Sequence, residues 1–290
     1  MNDDLRAFLD GAYDTHAASP QAIAEALAAR APTLPADDEG AEALRLAEHV
    51  LLGHLADADA LQRLLAALPA GFRDAPGGAC ADAVGRVRWA LARVGDAADL
   101  PPIGEPSRWR VLQNVLLAWI ATGRGGDASR TLRESEPQAA GSPDTATRQA
   151  FAACANNLAL HLREGPRGNA ARDALMLDAA TIARRAWQGA GTWMHVERAD
   201  YQLARCHAVL GRGDEALAHA RSCLAICEAE GADAAERFFA HEALWHAARA
   251  AGDADAAGRQ RDRMQGLLAE VGDEALRTWC AQVLQDLPAH

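Results

Sequence analysis

Tyr201-Gln202-Leu203-Ala204-Arg205-Cys206-His207-Ala208-Val209-Leu210-Gly211-Arg212-Gly213-Asp214-Glu215-Ala216-Leu217 is the stretch that decides how this chain folds. Leu203 and Ala204 are followed at helical spacing by His207 and Ala208, Gly211 halts the run, and Glu215-Ala216-Leu217 opens a second periodic segment. Apolar residues recurring every three or four positions mark an amphipathic helix, and a glycine just past such a run is its usual stop. The stretch predicts a helix, a tight turn and an antiparallel return helix.

The same signature extends outward. Ser19-Pro20 opens a segment reaching Arg30, with proline in the first turn, where its missing N–H costs nothing. Asp38-Glu39 precedes a helix carrying Leu44, Val50, Leu51 and Leu52. Further helices are predicted over 58–68, 79–94, 107–122, 126–135, 144–164, 170–188, 194–210, 213–230, 233–250, 253–269 and 273–287. Connections this short favour antiparallel hairpins. The least structured interval is Glu134 to Thr147, where Pro137, Gly141, Ser142 and Pro143 cluster. It reads as a long loop or soft boundary between residues 1–136 and residues 144–290, within one continuous helical array.

Composition agrees with a helical chain and removes several chemistries. Half of the 290 residues are apolar but only 5% are aromatic, and alanine and leucine dominate over Val, Ile and Tyr. Such a balance favours helix over strand. All 29 residues of the Lys+Arg total are arginine, which excludes Schiff-base lysines and the lysine-dependent phosphate loop. Forty acidic residues against 29 basic ones leave a charge of −11, which repels polyphosphates, so no nucleic-acid partner is expected. The acidic start Met1-Asn2-Asp3-Asp4 and the short apolar run from Val115 to Ala121 point away from a secretory leader or a membrane span, and toward the cytoplasm. Six cysteines, at 80, 154, 206, 223, 227 and 280, lie in helical patterns without a Cys-x-x-Cys pair and read as small buried thiols.

The hairpin at 201–217 recurs. Leu244-Trp245-His246-Ala247-Ala248-Arg249-Ala250-Ala251-Gly252-Asp253 continues to Ala257 and Met264 in the same register. Leu112, Val115, Leu116, Trp119, Gly123 and Ala128 trace another copy, and Asn156-Asn157-Leu158-Ala159 through Leu162 and Ala174 a weaker one with a turn enlarged at Gly165 to Asn169. This pattern resembles the tetratricopeptide repeat, with Leu203 and Ala204 at the apolar and small positions of the first helix, Gly211 at the turn, and Ala216, Ala220 and Cys223 at packing positions of the second. His207, Ala220 and Trp245 depart from the family's preferred residue types, and no proline closes the unit. The resemblance implies an all-α fold of antiparallel helix hairpins stacked into a right-handed α-solenoid. Before residue 105 the turn signals persist but the motif positions do not align.

Three constellations invite a chemical reading. His219, Cys223 and Cys227 share one stripe of a helix and offer soft ligands, but the stripe drifts by about 40° per step and Cys223 occupies a position that wants a small buried residue. Packing is the stronger reading there, and no metal or other cofactor is expected. Glu242 and His246 form an i,i+4 pair, whereas His241 and His246 are five apart and diverge by about 140° around an α-helix, so they cannot act as the histidine pair of a metalloprotease. Trp187 and Trp193 bracket Gln188-Gly189-Ala190-Gly191-Thr192 and are expected to clamp that turn.

The resemblance implies that the first helix of each hairpin lines a concave groove, which in that family binds extended peptides or makes regulatory contacts. Carried over position by position, that expectation selects Arg110 and Gln113, then Asn156 and Arg163, then Arg198, Tyr201 and Arg205, and finally Glu242, His246 and Arg249. Spacings of three and four place Arg198, Tyr201 and Arg205 on one face, where two guanidinium groups suit a carboxylate. The competing reading pairs these arginines with acids such as Glu197 and Asp200. The expected function is a non-catalytic scaffold for a protein or peptide partner. The alternative is a small-molecule- or metal-binding helical protein, or an enzyme, whose groove closes around Arg205, His207, His241 and His246. A third reading is the sensor part of a bacterial-type regulator acting through another protein.

Overall fold

Asp37, Asp57, Asp144, Asn169, Asp233, Asp253 and Asp273 each stand just before a helix and accept a hydrogen bond from a backbone N–H of its first turn. Each such cap satisfies a donor that the helix cannot. The computed structural model describes residues 3–288, in which helix follows helix and no strand occurs among the described residues. The helices are α1 Asp3–Thr15, α2 Pro20–Arg30, α3 Asp38–Glu48, α4 Ala58–Ala67, α5 Ala70–Arg73, α6 Gly78–Val94, α7 Glu105–Ala121, α8 Gly125–Ala140, α9 Thr145–Glu164, α10 Ala170–Ala190, α11 Trp193–Val209, α12 Gly213–Glu230, α13 Ala234–Ala250, α14 Ala254–Leu268 and α15 Glu274–Asp286. A 3₁₀ turn occupies Ala31–Thr33 and a π-helical turn His49–His54. No helix among the described residues is long and apolar enough to cross a membrane.

Helices α1 and α5 were not expected from the sequence, and two further segments differ from its reading. Helix α8 runs through Pro137 to Ala140, so the interval expected as a loop from Glu134 to Thr147 shrinks to residues 141–144. Proline forfeits one ladder bond, but Leu132, Ser135 and Ala139 fall at helical spacing and are all buried, and that face holds the helix together. The helix opened by Asp38 does not stay α-helical, because it passes into the π turn at His49.

The chain forms two compact units, Met1–Thr131 and Leu132–His290, divided inside α8. In the first unit α3 and α7 pack against the π turn and against α6, burying Leu44, Val50, Leu52, Val87, Val115 and Leu116. In the second, α9 with α10, α11 with α12 and α13 with α14 form hairpins. The first helix of each hairpin also touches the next, so α9, α11, α13 and α15 lie in a row. Ala204, Ala216, Ala220, Ala243 and Ala247, all fully buried, pack together where α11, α12 and α13 meet. All six cysteines are free thiols and buried.

The repeated turns share one geometry. Gly123, Gly211 and Gly252 adopt left-handed φ of 83°, 69° and 76°. After each, the next N–H reaches back to a carbonyl five residues earlier, from Arg124 to Trp119, Arg212 to His207 and Asp253 to Ala248. This is the Schellman stop, which only a residue tolerant of positive φ completes without strain. The fourth turn, beginning at Gly165, lacks it: Gly165 keeps an extended conformation with φ of −79°.

Gly213 has a different reason to be glycine. A Cβ there would lie 2.5 Å from Ala251 Cα and 2.6 Å from Ala251 Cβ, so the start of α12 presses directly on the end of α13. Gly213→Ala should therefore cost about 1–3 kcal/mol by overpacking, against the usual preference for alanine in helices, as measured by urea denaturation. A stabilised variant would show that the two helix ends are not in contact.

Candidate functional site

Helices α9, α11 and α13 bring a polar cluster together in the second unit. Arg205, on α11, donates from Nη1 to the Tyr201 hydroxyl at 2.7 Å and to Glu242 Oε1 at 2.5 Å. The Tyr201 hydroxyl in turn donates to Glu242 Oε2 at 2.8 Å, and His246 Nε2 lies 3.3 Å from Glu242 Oε1. Arg163, from α9, donates to Gln202 Oε1 at 2.7 Å and lies 3.7 Å from the exposed carboxylate of Glu164. The side chain of Glu242 is 5% exposed and that of Arg163 11%. Arg205 Nε and Gln202 Nε2 are buried donors with no acceptor among the described residues.

Electrostatics follow from this packing. Burial pushes the Tyr201 hydroxyl well above the usual phenol range. Burial also lowers His246, against the pull of Glu242, which favours a neutral imidazole. Burial alone would raise Glu242, but hydrogen bonding with His246, the charge of Arg205 and the Tyr201 hydroxyl hold it below the ordinary carboxylate value. Desolvation and the neighbouring Arg205 lower Arg163. The cluster thus pairs one guanidinium, Arg205, with the buried carboxylate of Glu242 and sets a second, Arg163, beside it with an amide oxygen as its buried partner.

The residues selected from sequence separate into groups. Arg163, Tyr201, Arg205, Glu242 and His246 belong to the cluster just described. Arg198 does not join Tyr201 and Arg205; it is 61% exposed and pairs with Glu236, a different acid from the neighbours considered in sequence. Asn156 is half-buried on α9, and Arg249 is exposed with its guanidinium 5.8 Å from the Trp245 ring. Arg110 is exposed and Gln113 half-buried on α7, in the other unit.

The histidines proposed to close a pocket around Arg205 also part company. His207 stacks on His219 at 5.6 Å, and His241 meets Gln260 Oε1 at 2.7 Å. His219 turns its Nδ1 to Asp200 Oδ1 at 3.0 Å, while the Cys223 thiol donates to Glu197 Oε1 at 2.8 Å, so the stripe of soft ligands is divided between two acids. The turn after α10 is clamped by Trp187 stacked on His195 at 4.3 Å. A cleft of about 370 Å³ opens beside Arg148 and Arg185 and another of about 240 Å³ beside Arg221 and Arg259; neither is lined by a residue selected from sequence.

One cluster was missed in the sequence. His16, His49 and His54, each half-buried in the first unit, place one ring nitrogen apiece within 4.8 Å of one another. Their ring centroids are 4.8–5.2 Å apart. The signal was faint, since His16 is remote in sequence and His49 and His54 are five apart, a spacing that diverges on an α-helix.

No protein-family model matches the chain, and no curated protein matches it in sequence.

Two stability predictions follow. Glu242→Gln should cost about 3 kcal/mol or more near pH 7, because it strands the largely buried Arg205, whereas Arg198→Ala should cost under about 1 kcal/mol for its exposed pair. Chemical denaturation of both variants checks the contrast, and equal losses would contradict it. The second concerns Glu197, 1% exposed, whose carboxyl is pushed up to about 7 by burial in spite of the Cys223 hydrogen bond. Its unfolded form releases a proton near the ordinary carboxylate value, so this group withdraws stability as pH climbs from about 4.5 to about 7. Glu197→Gln should match wild type at pH 4 and exceed it at pH 8 by on the order of 2 kcal/mol. A variant that gains nothing at pH 8 would show that the carboxylate is accommodated in its charged form.

Proposed function

We propose that the second unit is a non-catalytic protein-interaction or regulatory module, a tetratricopeptide-like right-handed solenoid whose first helices present a groove to a carboxylate-bearing peptide or protein. The observation that carries this reading is the imbalance around Glu242. Arg205 holds the buried Glu242 while Arg163 bonds only the Gln202 amide oxygen and the exposed Glu164, and Arg205 Nε and Gln202 Nε2 are donors without acceptors among the described residues. Unmatched buried donors cost stability, and a ligand carboxylate would supply the missing acceptors and charge. The row of α9, α11, α13 and α15 supports an extended surface, over which many modest contacts can be distributed.

Arg163 separates binding from folding. Its charge is disfavoured by desolvation and by Arg205, so Arg163→Gln should leave stability unchanged or raised. The same substitution should weaken capture of peptides ending in a free carboxylate by tenfold or more, the scale of one charge-assisted hydrogen bond. A peptide array probed with wild type and variant, each peptide present with free and amidated C-terminus, makes the measurement. Equal binding to both ends, or no loss in the variant, would contradict a carboxylate partner at this cluster.

A further inference from the structure

We propose that His16, His49 and His54 form a binding site for a divalent transition-metal ion of the zinc type. This site lies in the first unit and is independent of the peptide-binding reading.

The backbone brings the ligands together in an unusual way. His49 and His54 open and close the π-helical turn, in which Leu55 N–H bonds to Val50 O across five residues. Residues five apart diverge on an α-helix, but an i→i+5 turn brings them onto one side. His49 Nε2 and His54 Nε2 lie 3.2 Å apart. Two nitrogens bound at 2.0–2.1 Å to one tetrahedral ion would be separated by about 3.3 Å. His16 completes the set from the turn after α1.

Hydrogen bonding fixes which nitrogen two of the three rings, His49 and His16, can offer. Arg86 donates from Nε to Glu48 Oε2 at 2.9 Å, and Glu48 is fully buried. Its carboxylate therefore takes the Asn114 amide N–H, from Nδ2 to Oε1 at 2.7 Å. Asn114 Oδ1 is thereby turned to His49 Nδ1 at 3.0 Å and can only accept, so Nδ1 carries the proton and Nε2 keeps its lone pair. His16 Nδ1 similarly lies 2.8 Å from the Tyr13 carbonyl, which leaves His16 Nε2 as the ring's acceptor. Metal-binding histidines almost always donate their other N–H to a carbonyl or carboxylate in this manner.

The relay is built closely. A Cβ at Gly53 would lie 2.9 Å from Asn114 Oδ1 and 3.3 Å from His49 Nδ1, so glycine in the π turn makes room for the bond that orients His49. Arg86 and Glu48 neutralise each other, and three neutral imidazoles bind a borderline divalent cation without a carboxylate. Three protein ligands leave a tetrahedral ion one position for water.

Titration of the untagged full chain with Zn(II) alone, followed by calorimetry, tests the site. The expected result is one equivalent bound at micromolar or tighter affinity, with a tetrahedral visible spectrum when Co(II) replaces zinc. Affinity should fall tenfold or more in His16→Gln, His49→Gln and His54→Gln, and 10- to 100-fold in Asn114→Ala, which removes no ligand. His16→Gln is decisive if the variants in the π turn or at buried Asn114 misfold, because His16 sits in a turn outside the helices. Absence of stoichiometric binding, or undiminished binding by His16→Gln, overturns the proposal.

Discussion

Close approach of helices through alanine is the constraint on which the second unit depends. Where α11, α12 and α13 meet, the packed residues are Ala204, Ala216, Ala220, Ala243 and Ala247, with Leu244 beside them. Small side chains at these positions let ridges of one helix settle deep into grooves of the next. With little apolar bulk per contact, stability must come from many short distances, and Gly213 against Ala251 is the extreme case.

That spacing also creates the polar chemistry. Only because α11 and α13 lie close can Tyr201 and Arg205 reach Glu242, and only because α9 lies beside α11 can Arg163 reach Gln202. Buried ion pairs contribute less than they first suggest, since desolvation offsets much of the attraction. Their value here is in fixing register between successive first helices while leaving Arg205 Nε and Gln202 Nε2 unmatched among the described residues. The first unit uses a buried network differently: Arg86, Glu48 and Asn114 form a relay that orients one imidazole on a turn of altered pitch.

Helix positions were legible in the sequence because the signals that set them are local. Aspartate caps, the Gly123, Gly211 and Gly252 stops and Pro20 act on their own turns, and the predicted spans after residue 58 agree with the helices to within a few residues at their ends, except at Pro137. There a buried face outweighed a helix breaker. Partner choice was not legible. Arg198 finds Glu236 and Arg205 finds Glu242, 38 and 37 residues away, rather than acids on their own helix. The three-histidine cluster was hidden for a further reason: an α-helical reading of the Asp38 segment sends His49 and His54 to different sides, and nothing local announces the change of pitch.

If alanine sets the spacing, enlarging it must be costly where helices meet and harmless where they do not. The most direct measurement is the denaturation free energy of Ala220→Leu and Ala243→Leu, both fully buried, compared with Ala225→Leu on the exposed side of α12. The account predicts a loss of about 1–3 kcal/mol for each buried variant and a change within about 0.5 kcal/mol for the exposed one. Buried leucines tolerated as readily as the exposed one would contradict it.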